Sequence, residues 1–420
     1  MSNACDLSSH RPAPTRTGLN GFPSIPGYTD QEAEEHAKAV GVNPRPAETR
    51  NELDERGAFV RQPNSFIVPF GSKEGEFRAE AGRYAIYWAE GCNWSNRPVI
   101  ARDLLGLQDV ISDTKTTHSG ETNVYGHGFG DQPNHQDQAT GAYFLSEFYK
   151  RANPDYKGRA TTPTFVDIIE KKAVNNDYHR LSNYIEVQFR PFQPADAPDL
   201  YPKKFRDVID EFNDWLFPHV NNGHYRMAFC SSIEAYQEAY DDFYASLDKL
   251  EERLATNRFL FGDYVTDADI RLYVTLVRWD TGYYRNIGPT KRRIVDYPNL
   301  WGYVRDLYAI PAFAKTTFFP KKPQAEDGRL FRDFNSRLAW QIDFVKLYQT
   351  DGERAKLSRT PEEKFLRHPA GETAEDYQSE ISFSRWNRPD LKDRDPSDPA
   401  NSPLRVDASI NPIDLHEAYT

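Results

Sequence analysis

Cysteine is the residue whose placement in this chain says most about chemistry. The 420-residue sequence holds three, Cys5, Cys92 and Cys230. Cys92 follows a β-branched and aromatic run, Tyr84-Ala85-Ile86-Tyr87-Trp88, and precedes a segment of helical character. A thiol at the junction of a strand and a helix N-terminus meets unpaired backbone N–H groups and the positive end of the helix dipole, which favour the nucleophilic thiolate. The local motif, Cys92-Asn93-Trp94-Ser95, is a C-x-x-S arrangement with no second thiol. Ser95 can donate a hydrogen bond to the sulfur but cannot resolve a disulfide. The reaction open to such a site is attack on another sulfur, giving a mixed disulfide that an external thiol must release. The competing reading is a small buried core cysteine, which is how most free cysteines behave. Position alone does not separate the two. Cys230, before a helix start, reads as structural, and Cys5 in the tail as incidental.

The elements around Cys92 follow from patterning. Tyr84–Trp88 reads as a strand, and Pro98, Val99, Ala101, Arg102, Leu104 and Leu105 fit a helix that Gly106 stops. Val110-Ile111-Ser112 fits a second strand, so strand, cysteine turn, helix and strand make a βαβ unit. From Asp113 to Thr140 the chain is polar and glycine-rich, too long for a simple connector. A helix from Tyr143 to Arg151 follows, then a strand beginning at Pro163 that pairs with KKAVNN as a hairpin, and Asp177 opens another helix. This order, βαβ–α–ββ–α, is that of a thioredoxin-like domain. Pro163, after Thr162, stands where such folds keep a cis proline beside the active thiol. Only ~5% of X–Pro bonds are cis, so the sequence alone does not establish the isomer.

Past residue 200 the apolar period changes from 2 to 3.6. Ile233, Tyr236, Tyr240, Phe243, Leu247, Leu250 and Leu254 form one stripe on a long helix, with Ser231 and Glu234 predicted as its capping box. Thr266-Asp267-Ala268-Asp269 opens a second helix, with Val265 and Ile270 as its hydrophobic staple and Ile270, Tyr273, Val274 and Val277 as its buried face. LFRDFNSRLAWQIDFVKLY supports one further helix, and the chain from about 385 reads as a surface tail. The expected fold class is therefore an α/β thioredoxin-like N-terminal domain plus an all-α C-terminal helical bundle. The expected divisions are an extension at 1–60, the thioredoxin-like domain at 61–195 with its inserted loop at 113–140, the helical domain at 196–325, and a helix and tail at 326–420.

Other function classes are disfavoured. The net charge of −11 argues against nucleic acid or an anionic membrane as partner. No stretch approaches the ~18 apolar residues of a membrane span, and the N-terminus has no signal-like apolar core. With so few cysteines there is no disulfide framework, and a reducing cytoplasm is the expected location. His118, His127 and His135 lie too loosely spaced in the loop for a metal motif, and GHGFG lacks the Lys-Ser/Thr of a phosphate loop, so no metal is expected.

Several segments carry a resemblance. GRYAIYWAEGCNWSNRPVIARDLLGL (82–107), GRATTPTFVD, and above all 219–319, with NNGHYRMAF, EAYDDFYASLDKLEERL, RFLFGDYVTDADIRLYVTLVRWD, DYPNLWGYVRDLY and IPAFAKTTFF, resemble the glutathionyl-hydroquinone reductases, the Xi class of glutathione transferases. The similarity spans roughly 60–320. It implies reductive deglutathionylation of a small aromatic thiol conjugate through a mixed disulfide on Cys92, with glutathione as co-substrate and a homodimeric assembly. Tyr225 and Tyr283 match catalytic tyrosines of the aromatic-substrate pocket, and Tyr297 matches a third substrate-binding tyrosine. Trp94, Ser95, Thr162, Pro163, Asp177 and Tyr178 match the glutathione-binding positions. The 113–140 insertion corresponds to one near the family's active site, which assigns it as a cover. Several positions depart. The family's C-P-W-A-H has Asn93 for Pro and Asn96 for His, and the Glu-Ser pair that holds the γ-glutamyl end of glutathione falls at Asp177-Tyr178. Another low-molecular-weight thiol is therefore an alternative co-substrate. A β-etherase, dehalogenase or isomerase on the same fold is a second alternative, and a non-catalytic scaffold a third.

Overall fold

The computed structural model describes residues 28–44, 52–61, 64–119, 123–284, 291–319, 340–382 and 384. The extension contributes a helix, α1 (Asp30–Val40), which opens on a Thr29–Glu32 capping box. Its Ala33 and Ala37 are buried with Tyr28, Val42 and Phe144. The extension thus docks on the domain that follows it.

Every residue of β1 (Tyr84–Trp88) is buried. A run without polar alternation has no face to offer solvent, so it takes an inner position in a sheet. α2 (Asn93–Leu104) crosses over to β2 (Ser112–Lys115), which pairs parallel to β1 with Ala85 opposite Ser112 and Trp88 opposite Lys115. Gly106, at φ 65°, turns the chain out of α2 in a conformation that favours glycine. A two-stranded ribbon follows, β3 (Thr117–His118) with β4 (His127–Gly128), then α3 (Leu145–Ala152). β5 (Thr164–Asp167) returns antiparallel to β1, with Ile86 opposite Phe165, and β6 (Lys172–Asn175) pairs antiparallel with β5. The sheet order is β2-β1-β5-β6, closed by α4 (Leu181–Val187).

The second half is helical: α5 (Arg206–Leu216), α6 (Gly223–Phe229), α7 (Ile233–Arg253), α8 (Asp267–Trp279), α9 (Pro298–Tyr308) and α10 (Pro311–Thr316). All 13 residues of α8 are buried, which makes it the axis of the molecule. Its expected box is present, with Asp269 Oδ2 accepting from Thr266 N at 2.8 Å and Thr266 Oγ1 at 2.9 Å. Val265 and Ile270 are both fully buried, as a staple requires. The expected fold class is the one found.

Four local expectations shift. β2 starts at Ser112, the last residue of the expected strand, and takes its other three residues from the segment assigned to the loop. α4 begins at Leu181, because Asp177 builds the turn before it: its Oδ1 accepts from His179 N at 3.0 Å, and its carbonyl from Arg180 N and Leu181 N, each at 2.9 Å. α7 is capped by Ser232, whose Oγ accepts from Ala235 N at 3.1 Å, while Ser231 N donates to Gly57 O of the extension at 2.8 Å. Ile233, the first member of the α7 stripe, is 82% exposed, so burial of that face starts a turn further on, with Tyr236 half-buried. Of LFRDFNSRLAWQIDFVKLY, residues 330–339 lie outside the described residues, as do Cys5 and the tail from 385, and the described remainder holds a short helix, Phe344–Tyr348. Among the described residues no helix is long and apolar enough to cross a membrane.

The C-terminal strap is fastened by a buried pair of titratable groups. Tyr377 Oη donates to Asp199 Oδ1 at 2.7 Å, and His368 Nδ1 lies 3.9 Å from Asp199 Oδ2. Burial pushes the Asp199 carboxyl up from 3.8 to about 7 and the His368 imidazole down from 6.5 to about 4. The folded protein keeps a proton on Asp199 that the unfolded chain has released. That stabilisation is complete below the unfolded value and is lost as pH rises through about 7, at about 1.4 kcal/mol per pH unit. His368 acts oppositely: the unfolded imidazole holds a proton the folded one lacks, so stability rises with pH between about 4 and 6.5. The two slopes offset in wild type. Asp199→Asn removes the falling slope, so the urea midpoint of the variant measured relative to wild type should climb with pH between about 4 and about 7. Midpoints that run parallel to wild type would refute this coupling.

Candidate active site

Cys92 is the N-cap of α2, with φ −94° and ψ 112°. Its carbonyl accepts the first helical N–H groups, from Ser95 at 3.1 Å and Asn96 at 3.3 Å. Its sulfur donates to Thr162 O at 3.5 Å, on the residue before Pro163, and the Thr162–Pro163 bond is cis. The hydrogen bond expected from Ser95 to the sulfur is not formed. Ser95 is fully buried, and its Oγ has no hydrogen-bond partner among the described residues.

The two Asn substitutions acquire roles from the helical half. Tyr225 Oη, on α6, donates to Asn93 Oδ1 at 3.3 Å. Arg278 Nη2, on α8, donates to Asn96 Oδ1 at 2.6 Å and to Glu90 O at 3.1 Å, while Asn96 Nδ2 donates to Thr316 O at 2.8 Å. α8 therefore grips the cysteine turn from behind. A position that departs from the family motif thus serves as a tether.

The structure brings Cys92, Trp94, Tyr178, Tyr225 and Tyr283 together. Trp94, Tyr225, Phe217 and Phe59 form a buried cluster with Cys92 and Tyr178 packed against it. The Tyr178 ring lies 4.9 Å from Trp94. The Tyr225 and Tyr283 rings are 6.1 Å apart. Burial, then the neighbouring Cys92, raises the Tyr225 phenol, and burial followed by Tyr225 holds Tyr283 well above the usual range. Both phenols are therefore proton-bearing donors at neutral pH. Tyr297 is fully buried, with the Arg292 guanidinium 3.7 Å from its ring centroid.

Three residues at the site were not singled out from sequence. Phe59 arrives from the end of the extension and Arg61 from the residue just past it; the Arg61 guanidinium stands 4.7 Å from the Tyr225 ring, 4.9 Å from Trp94 and 5.4 Å from Phe59. Arg61 Nε donates to Asn222 Oδ1 at 3.0 Å, which anchors it. Their spacing of two puts both on one face of an extended segment, the only local signal available. His224 is fully buried and stacks on Tyr283 at 3.6 Å with an interplanar angle of 11°. Burial, reinforced by Arg61, holds it neutral.

The described part of the 113–140 segment is fastened to the sheet and to Tyr28, just before α1. Asp137 Oδ2 accepts from Tyr87 Oη at 2.8 Å, and His135 stacks on Tyr28 at 4.7 Å. Among the described residues no group of three or more His, Cys, Asp or Glu is placed to hold a metal ion, and the His118 and His127 rings lie 6.4 Å apart.

A thioredoxin-like sheet carrying a cysteine at the first helix N-cap, opposite a cis proline, packed on a helical half whose central helix opens on a Thr-x-x-Asp box, defines a glutathione transferase. Residues 233–306 match the family model described as the glutathione S-transferase C-terminal domain. The chain is 37% identical over 244 residues to the glutathionyl-hydroquinone reductase PcpF of Sphingobium chlorophenolicum, covering 58% of this chain and 76% of that one. Its fold is similar to the crystal structure of the glutathione-S-transferase Xi from Phanerochaete chrysosporium, at 36% identity and a TM-score of 0.60, covering 64% of this chain and 88% of that one. The glutathione-bound structure of YqjG from Escherichia coli is also similar, at 35% identity and a TM-score of 0.55, covering 66% and 87%. The chain belongs to the Xi-class glutathione transferases, the enzyme family of the glutathionyl-hydroquinone reductases.

Proposed function

We propose that this enzyme removes glutathione from glutathionyl-hydroquinones. The Cys92 thiolate attacks the glutathione sulfur of the conjugate. The S–S bond of a Cys92–glutathione mixed disulfide forms, the aryl C–S bond breaks with its electron pair going to the ring carbon, and a proton from the site completes the hydroquinone. A second glutathione thiolate then attacks the mixed disulfide, giving glutathione disulfide and free Cys92. The conjugate is thereby reduced by two electrons and two glutathiones are oxidised. Tyr225 and Tyr283 donate hydrogen bonds to the hydroquinone oxygens and line the pocket. The observation that carries this reading is the Cys92 thiol at the α2 N-cap, within the aromatic cluster that includes Tyr225. The reading takes the enzyme as a cytoplasmic homodimer, with the thiol half at 61–195 and the substrate wall from 196–325.

Incubating the protein with glutathionyl-hydroquinone and glutathione should release hydroquinone and leave a transient glutathione adduct on Cys92, read by intact mass. Absence of both would overturn the reading. Asn93 supplies a finer test. Asn93→Ala removes the acceptor of the Tyr225 hydroxyl, and one such bond contributes about 1 kcal/mol, so kcat/KM should fall about fivefold to tenfold with the fold intact. An unchanged kcat/KM would show that Tyr225 is oriented without it. A second reading, use of a different low-molecular-weight thiol, is favoured by the Tyr178 ring beside Trp94.

A further inference from the structure

His224 is the second residue of α6, and the backbone on either side of it is held in place. Asn221 Nδ2, in the preceding turn, donates to Arg271 O and to Thr275 Oγ1, each at 2.8 Å, which ties that turn to α8. Gly223 lets α6 press against α7, because a Cβ there would lie 2.7 Å from Phe243 Cδ2. The fully buried His224 ring lies 3.6 Å from the Tyr283 ring at 11° and 3.9 Å from the Tyr225 ring at 55°. It is wedged between the two phenols that the proposed reaction gives to the hydroquinone.

A wedge of this shape needs no nitrogen, since an apolar aromatic ring would stack as well. Yet Nδ1 and Nε2 are both buried, and neither has a hydrogen-bond partner among the described residues. A desolvated donor and a desolvated acceptor left unmade are costly, and proteins keep such groups where something uses them. Tyr283 covers a face of the imidazole, whereas the N–H and the lone pair lie in the ring plane, so the stack occupies neither. Held neutral, the ring offers one donor and one acceptor, a pair that a hydroxyl can meet in either sense. Among the described residues no group of three metal-ligating side chains includes it.

We propose that His224 reads a free hydroxyl of the aromatic substrate, which makes it a specificity-determining residue and sets the substrate class as hydroxyarenes, with O-alkylated analogues rejected. The inference rests on the thiol-transferase reading and narrows its aromatic side. Tyr225 and Tyr283 bracket the imidazole, and the imidazole takes the hydroxyl.

The test couples one group of the enzyme to one group of the substrate. Glutathionyl-hydroquinone and its two monomethyl ethers are compared in wild type, in His224→Phe, which keeps the stack, and in His224→Met, which relieves crowding by the wider ring. In wild type, kcat/KM for one of the ethers should fall by about 100-fold or more, because a methyl group leaves the buried nitrogens unpaired. In the apolar variants that penalty should shrink by about tenfold or more, while the unmethylated conjugate loses activity. His224→Gln, which carries a donor and an acceptor, should restore part of the discrimination. A residue that only holds Tyr225 and Tyr283 in place would move all three substrates alike, and that result overturns the proposal. Nitrogen NMR of histidine-labelled wild type reads the contact even where the variants fail to fold. Hydroquinone should shift the His224 ring nitrogens, and p-dimethoxybenzene should not; equal shifts, or none from either, overturn the proposal. If hydroquinone shifts them while wild type releases no hydroquinone from the conjugate, the hydroxyl contact stands and the proposed reaction falls.

Discussion

Cys92→Ala should lower hydroquinone release by about 10³-fold or more, with conjugate binding kept and no glutathione adduct on the protein. The size of the loss follows from the lack of a substitute. Ser95 carries a hydroxyl, not a thiol, and its Oγ makes no hydrogen bond among the described residues. Cys230 lies at the end of α6, its sulfur donates to Met227 O at 3.2 Å, and burial raises its thiol, which lowers its thiolate fraction. Conjugate binding survives because Tyr225, Tyr283 and the Trp94 face remain. A Cys92→Ala enzyme within tenfold of wild type would mean that glutathione attacks the conjugate directly and that the site only orients it. Stopped reactions analysed by intact mass decide between the two, since only the covalent route leaves 1 glutathione on the wild-type chain.

What was legible in the sequence was local. β1, the Cys92 turn and α2 follow from a short apolar run and a helix start within 21 residues of chain, Tyr84 to Leu104. The Thr266–Asp269 box was readable for the same reason, because the residues that satisfy each other are three apart. The α7 cap moved by one residue because Ser231 N is taken by Gly57 O, a partner more than 170 positions away that no window along the chain contains. The same distance hid Phe59 and Arg61. Polar, charged sequence around them reads as a tail, and only the folded helical half supplies the aromatic wall that holds them. Asn93 and Asn96 stood out only as departures from the family motif; their partners, Tyr225, Thr316 and Arg278, lie 132 to 220 residues on. Tyr297 was carried by resemblance alone, with no local pattern in the sequence to mark it.

Asp269→Ala should destabilise the protein by about 3–5 kcal/mol, the largest stability loss expected from any single site considered above. The carboxylate is fully buried and accepts four hydrogen bonds: Leu260 N at 2.9 Å, Thr266 N at 2.8 Å, Thr266 Oγ1 at 2.9 Å and Tyr303 Oη at 2.9 Å. Alanine would orphan all of these donors at once in a region without solvent. Asp269→Asn keeps one acceptor oxygen but turns an amide N–H₂ toward two of the same donors, so it should recover only part of the loss. Urea unfolding of the three proteins measures this directly, and a loss below about 1 kcal/mol for alanine would show that water enters and replaces the carboxylate. The consequence reaches the active site through α8. Arg271 Nη2 donates to His179 O at 2.8 Å and Arg278 Nη2 to Glu90 O at 3.1 Å, so the helix that Asp269 caps also holds the turns carrying Tyr178 and Cys92. If that link is mechanical, activity in Asp269→Asn should fail at a lower urea concentration than its global unfolding, whereas in wild type the two should coincide.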